Sequence, residues 1–255
     1  MPASNAPVRE YWNTHIHDLD ISPHAPGTRE FFADLDAYHF EKLHHLLRLV
    51  DFDAWRGWDV LDVGCGAGVD LVRFARAGAR AVGVDLADRA VGLTRANLAH
   101  QGLATRLAVA DGEALPFAPG SFDLVYAHGV VQYTANDRRL VDEAHRVLRP
   151  GGLAIFQVYN RRSWLQALSK VMRVPLEHED APVLGRYSIG ELRALVSPFA
   201  SVEIMPERFP VASRLHKGWK GAVYNGVFVG LFNALPRSWV RQYGWHLLAF
   251  CRKQA

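Results

Sequence analysis

Three carboxylates and a glycine turn stand at spacings that suit a nucleoside. The turn is Asp62-Val63-Gly64-Cys65-Gly66-Ala67-Gly68. Glycines at alternate positions let the backbone bend sharply and come close to a ligand. A helix starting at the turn would add free N–H groups and its positive end. A dinucleotide turn reads G-x-G-x-x-G and would need glycine where Val69 stands; the G-x-G-x-G spacing favours a different nucleoside. Asp85 closes the next apolar run, about 20 residues on, where a carboxylate accepts from both ribose hydroxyls. Its other reading, as N-cap of the next helix, is weaker because Asp88 can serve as that cap. Asp111, within Ala110-Asp111-Gly112-Glu113, closes a third run and is placed to accept from an adenine amino group.

These residues need elements that bring them together. From Trp58, short apolar runs alternate with amphipathic stretches. The runs are 59–64, 80–86, 105–111, 122–128 and 153–159, and the helical stretches between them are 69–78, 89–102 and 137–152. Runs buried on both faces and separated by helices predict a parallel sheet with right-handed crossovers. Ligands of such a sheet bind beyond the carboxyl ends of its strands, near the reversal of strand order. Further on, Ser188 and Glu191 predict a capping box, residues 200–205 a sixth strand and 245–253 a last strand. The length of 255 residues fits one α/β domain with an insertion. The expected divisions are a helical lid region over 1–55, a ligand-binding core over 56–160, and a second half over 161–255 with a helical cap insertion at about 206–243.

The joint pattern resembles the class I S-adenosylmethionine-dependent methyltransferases, in the group that includes the ubiquinone/menaquinone-biosynthesis type. It rests on Val60-Leu61-Asp62-Val63-Gly64-Cys65-Gly66-Ala67-Gly68, Gly83-Val84-Asp85, Asp111-Gly112-Glu113-Ala114-Leu115-Pro116-Phe117, Ser121-Phe122-Asp123-Leu124-Val125 and Arg146-Val147-Leu148-Arg149-Pro150-Gly151-Gly152, in that order. The resemblance implies a Rossmann-like α/β fold: seven strands, mostly parallel, the last antiparallel, with helices on both faces. It implies S-adenosyl-L-methionine as methyl donor, with S-adenosyl-L-homocysteine as product. Gly64 and Gly66 would line its methionine and ribose, with Cys65, Gly68 and Leu86 in the same shell. Asp62 would orient its ammonium group, Asp85 its ribose and Asp111 its adenine amino group, with Gly112 and Glu113 beside the ring. Gly112 replaces the alanine common there. Residues 127–133, His128 among them, would border donor and acceptor, and Tyr11, a candidate donor contact, and Trp12 are read as part of a helical lid that closes over the donor, or else as anchors of the N-terminal segment.

Methyl transfer is an in-line displacement, and an oxygen nucleophile must also lose its proton. His128, at the end of the fourth run, is the candidate base; its other reading is a histidine that packs on the donor. Tyr133 and Tyr159 are candidates to orient the acceptor or simply to form its wall. His15, His17 and His24 fit no familiar metal spacing, so no metal is expected.

The expected acceptor is a small molecule, lipophilic or anionic, methylated on oxygen; carbon or nitrogen acceptors, such as quinone-like metabolites, are the alternative. A donor-binding module without turnover and a nicotinamide oxidoreductase are the other classes, the last disfavoured by Val69. Nucleic acid is disfavoured: Ala127-His128-Gly129-Val130 is not the Asn/Asp-Pro-Pro-aromatic motif, and neither Cys65 nor Cys251 is placed as a nucleophile. Glu207 to Ala255 holds eight Lys or Arg against one acid, which reads as a solvated basic face or as a site for an anionic substrate or surface. Within it Trp219, Val223, Val227 and Leu231 form a helical stripe that Phe228 and Phe232 widen, flanked by Lys217, Lys220, Arg237 and Arg241. The stripe predicts a cap packed on the sheet, or else a substrate cover with reversible membrane contact. With no secretory h-region, no span of about 20 apolar residues and two isolated cysteines, the cytoplasm is the expected compartment.

Overall fold

The computed structural model describes residues 5–176, 178–212 and 218–255, apart from the side chains of residues 220 and 237. Three helices, α1 (Ala6–Thr14), α2 (Arg29–Lys42) and α3 (Leu46–Leu49), precede the sheet. Then come β1 (Asp59–Val63), α4 (Val69–Ala77), β2 (Arg80–Asp85), α5 (Asp88–His100), β3 (Arg106–Val109) and β4 (Phe122–His128). α6 (Asp137–Val147), β5 (Leu148–Tyr159), α7 (Trp164–Met172), α8 (Ile189–Leu195) and β6 (Ser201–Glu207) follow. α9 (Gly218–Val223), α10 (Val229–Ala234) and α11 (Arg237–Val240) lead to β7 (His246–Arg252). The seven strands lie in the order β3-β2-β1-β4-β5-β7-β6. β1 to β5 run parallel, and β7 enters antiparallel between β5 and β6. The order reverses between β1 and β4, so the expected Rossmann-like α/β sheet has its switch point beside the glycine turn.

Val60, Leu61 and Val63 are all buried, as a strand covered on both faces requires. Gly83 on β2 lets α4 approach: a Cβ there would lie 2.5 Å from Leu71 Cδ2 and 2.9 Å from Leu107 Cδ2. One apolar core joins the sheet to α6 and α8 through Leu140, Val141, Ala144 and Leu192. The other joins it to α2 and α4 through Phe31, Phe32, Leu35, Phe40, Leu71 and Phe74. Burial of each large side chain contributes about 1.5–3 kcal/mol, enough to hold α2 on the sheet. Thr28 caps α2 by accepting from Phe31 N at 3.2 Å. The capping box is present: Ser188 Oγ accepts from Glu191 N, and the Glu191 carboxylate accepts from Ser188 N.

Some boundaries differ from the sequence reading. β3 stops at Val109, and Asp111 stands in the turn beyond it. Asp88 is the first residue of α5 rather than its cap, and its carboxylate pairs with Arg9 at 2.9 Å. The larger difference is the stripe before β7. Tyr224, Phe228 and Phe232 turn inward onto the Trp164 ring, with centroids 5.8–6.2 Å away. Trp219, Val223, Val227 and Leu231 are exposed instead. Two adjacent stripes compete at this spacing, and the aromatic one wins because α7 offers it a ring. Lys217 lies outside the described residues, as do the Lys220 and Arg237 side chains. Among the described residues, no helix is long and apolar enough to cross a membrane.

Candidate active site

A cavity opens at the carboxyl ends of β1, β2 and β4, under α1 and α2. Asp62, Gly64, Cys65, Gly66, Asp85 and Leu86 line one side of it, with Asp111 and Gly112 further along. Gly64 N and Cys65 N both donate to Val84 O, at 2.7 and 3.0 Å, which locks the turn to β2. Gly64 has φ +71°, and a Cβ there would lie 2.3 Å from Val130 Cγ2. Only glycine meets both demands.

Asp85 accepts from Gly66 N and from Ala87 N, each at 2.9 Å, so it braces the turn and the start of α5. Burial raises its pKa, and the N–H groups of Ala87, Gly66 and Leu86 pull it back. Asp62 is more exposed to this penalty. Burial pushes its pKa well above the usual carboxylate range, and the charges of Asp70 and Asp85 add to the rise. Among the described residues it has no hydrogen-bond or ion-pair partner. Asp111 accepts from Asn5 Nδ2 at 2.9 Å and from Glu113 N at 2.8 Å. A buried carboxylate with no cation of its own, a second carboxylate beside a glycine turn and a third further along fit a ligand with an ammonium group, a ribose and an amino-bearing base. Burial also raises the Cys65 thiol, which suits a wall and not a nucleophile.

Gly68, Glu113 and Tyr11 stand outside the lining. Glu113 accepts from Thr134 Oγ1 at 2.6 Å and Asn136 N at 2.7 Å, fixing the loop after β4. Tyr11 donates to Asp180 at 2.9 Å and lies 3.0 Å from His178 Nδ1. It ties α1 to the segment before α8, while its neighbour Trp12 reaches the cavity and meets the Tyr133 ring edge-on at 4.8 Å.

The other end of the cavity is rich in histidine. His39, His128, His246 and Arg208 line it, with Gln157 and Tyr159. Asp70, in the first turn of α4, is the hub. His39 Nε2 lies 3.1 Å from its Oδ1, Tyr126 donates to its Oδ2 at 3.1 Å, and His128 Nδ1 stands 3.8 Å from Oδ2. Burial pushes the His128 pKa down to about 3 against the pull of Asp70, so the ring is neutral. Its Nε2 is buried without a partner. Tyr133 and Tyr159, on the same side, share a hydroxyl–hydroxyl bond of 3.1 Å.

His39, Asp70 and His128 offer ligand atoms within 4.8 Å of one another, a set that can hold a metal ion. Both Asp70 oxygens already bond to protein groups, which also accounts for the cluster as a hydrogen-bond network. The histidines weighed from sequence do not converge: His15 stacks on Tyr11, His17 reaches the cavity and His24 is exposed. Sequence reasoning missed His39, Asp70, Gln157, Arg208 and His246. Asp70 left a signal, an acid inside the otherwise apolar helix start Val69-Asp70-Leu71-Val72.

Residues 61–156 match a family model described as a methyltransferase domain. Over 156 residues the chain is 30% identical to a ubiquinone biosynthesis O-methyltransferase of Cereibacter sphaeroides, covering 61% of each chain. It is 34% identical over 128 residues to an uncharacterized methyltransferase of Synechocystis, covering 49% of this chain and 58% of that one. The chain thus spans about three fifths of the length of these curated relatives. Magnesium protoporphyrin IX methyltransferase from Synechocystis, solved with bound SAH, superposes with a TM-score of 0.63 at 13% identity, over 98% of this chain and all of that one. The [4+2]-cyclase SpnF superposes with a TM-score of 0.53 at 19% identity, over 92% and 85%. Both likenesses concern the fold alone, which hosts more than one chemistry.

Proposed function

From the premise that this chain belongs to the class I S-adenosylmethionine-dependent methyltransferases, we propose that residues 1–255 act as one domain that transfers a methyl group from S-adenosylmethionine to an oxygen of a small-molecule acceptor. The observation that carries the reading is the single cavity that joins the carboxylates Asp62, Asp85 and Asp111 to the histidine end at His128. When bound, the donor supplies a methyl group on a sulfonium whose positive charge disappears as the methyl leaves. Asp62 holds the ammonium group, Asp85 with the Gly64–Gly66 backbone holds the ribose, and Asp111 and Gly112 meet the adenine. His128 and Tyr133 contact the acceptor.

His128 takes the acceptor proton, and Asp70, 3.8 Å from its Nδ1, steadies the imidazolium that forms. Trp12, Tyr133 and Tyr159 exclude water from this end. Both cysteines are free and buried, in keeping with a reducing cytoplasm.

Calorimetric titration of the protein with S-adenosylmethionine and, separately, NADH tests the reading. Binding of the first and not the second is expected, followed by transfer of isotopically labelled methyl to a small-molecule panel. Binding of NADH alone would overturn it, and donor binding with no transfer to any acceptor would favour a donor-binding module.

A further inference from the structure

The histidine end of the cavity holds buried hydrogen-bond donors that lack acceptors. Arg208 Nη1 lies 3.2 Å from His246 Nε2. A guanidinium only donates, so Nε2 accepts, and a neutral ring then carries its proton on Nδ1. That Nδ1 is buried and unpaired. Gln157 Nε2 on β5 is buried and unpaired as well. The ladder aligns these groups: Tyr159 pairs with His246 and Gln157 with Leu248, so Gln157, Tyr159 and His246 share one face of the sheet. Arg208 follows Glu207, which pairs with His246 from the other side.

Arg208 is held there under strain. Its φ of +57° lies in the left-handed region, which a non-glycine residue occupies only where its surroundings impose it. Its carbonyl accepts from Trp164 Nε1 at 2.8 Å and from Trp245 N at 3.3 Å, and these bonds fix the backbone in that state. Among the described residues no carboxylate pairs with its guanidinium. Lys42, the other cation of the lining, is already bound by Asp18 at 2.9 Å. An unpaired buried donor is costly, and two of them, His246 Nδ1 and Gln157 Nε2, belong to residues that line the same cavity as Arg208.

Resting on the methyltransferase reading above, we propose that Arg208, His246 and Gln157 form a subsite for a carboxylate carried by the methyl acceptor. One free cation with two neutral donors matches a monoanion with two oxygens, and the planar guanidinium suits a planar carboxylate. The His128 and His246 rings meet edge-on with centroids 6.0 Å apart, so the carboxylate and the methylated oxygen belong to one small molecule. The acceptor is thus a compact hydroxy acid, flanked by Tyr133 and Tyr159.

The probes are benzoate and its neutral isostere benzamide, titrated by calorimetry and ligand-observed NMR into protein saturated with S-adenosylhomocysteine. Benzoate is expected to bind at least about tenfold tighter than benzamide. Arg208→Gln should remove that preference, and Gln157→Met should weaken benzoate severalfold while S-adenosylhomocysteine affinity stays unchanged. Equal binding of the two probes, no binding of benzoate, or a preference that survives Arg208→Gln would overturn the subsite. Failure of S-adenosylhomocysteine to bind would count against the donor site instead; the benzoate series is then read on the protein alone by the same criteria. The wild-type comparison needs no variant, so a misfolded substitution leaves the test intact.

Discussion

Tyr126 on β4 donates its phenolic hydrogen to Asp70 on α4 at 3.1 Å, and both side chains are buried. The bond links the strand that ends in His128 to the helix that begins at the glycine turn. Tyr126→Phe keeps the ring in the core and deletes only the hydroxyl. It leaves the Asp70 carboxylate one partner short, an effect on the order of 1–3 kcal/mol. Urea denaturation should show a loss of about that size, and turnover should fall severalfold because Asp70 no longer holds its place beside His128. An unchanged denaturation midpoint would count against the bond.

Asp85 braces the turn and lines the cavity, where the proposed function gives it the donor's ribose. Asp85→Ala should weaken donor binding by at least about 100-fold, since it removes a ribose partner and the acceptor of Gly66 N and Ala87 N together. Asp85→Asn retains one accepting oxygen and should fall between the two. Calorimetry on all three proteins checks the order, and near-normal affinity in the alanine variant would sink the donor-site assignment.

Acid should unfold this protein early. Burial pushes His45 and His128 down to about 3, and His246 well below its ordinary value. Each folded pKa is depressed, so above about pH 6.5 neither state gains a proton and stability is full. As pH falls below that, the unfolded chain takes up protons that the folded one refuses, and each group removes about 1.4 kcal/mol per pH unit until its folded pKa is reached. His45 lies outside the cavity lining, and both its ring nitrogens are unpaired. His45→Leu should therefore flatten the loss between pH 7 and pH 5 by about 2 kcal/mol. Denaturation midpoints at the two pH values decide it; parallel curves for the two proteins would refute the assignment.

The proposed reaction assigns the His39–Asp70–His128 cluster, whose ligand atoms can also hold a metal ion, to proton handling. Extensive treatment with a chelator should leave transfer to an accepted substrate unchanged, and added Zn²⁺ should inhibit by occupying the cluster. Loss of activity on chelation, restored by a divalent ion, would reassign these three residues as ligands.

Much of the candidate donor side was legible in the chain because the pattern that defines it is local. A glycine turn and a carboxylate at the end of each following run need only short-range patterns to be placed. The acceptor side was not legible in that way. His39 comes from α2, Asp70 from α4, Gln157 from β5, Arg208 from beyond β6 and His246 from β7, and only the closed sheet makes them neighbours. Tyr11 illustrates the same limit: its partners Asp180 and His178 come from far along the chain, and no periodicity announces them. The stripe of Trp219, Val223, Val227 and Leu231 was visible as amphipathic, but its partner was not, because an adjacent aromatic stripe satisfies the same spacing.

The position of β7 constrains how the chain acquires its shape. β6 hydrogen-bonds to β7 and to no other strand, yet it is made first. During synthesis β6 must wait as an unpaired ribbon until residues 246–252 leave the ribosome, then dock together with the strand that fills the gap beside β5. The first five strands can assemble before that moment, so the histidine end of the cavity, which needs His246, forms after them.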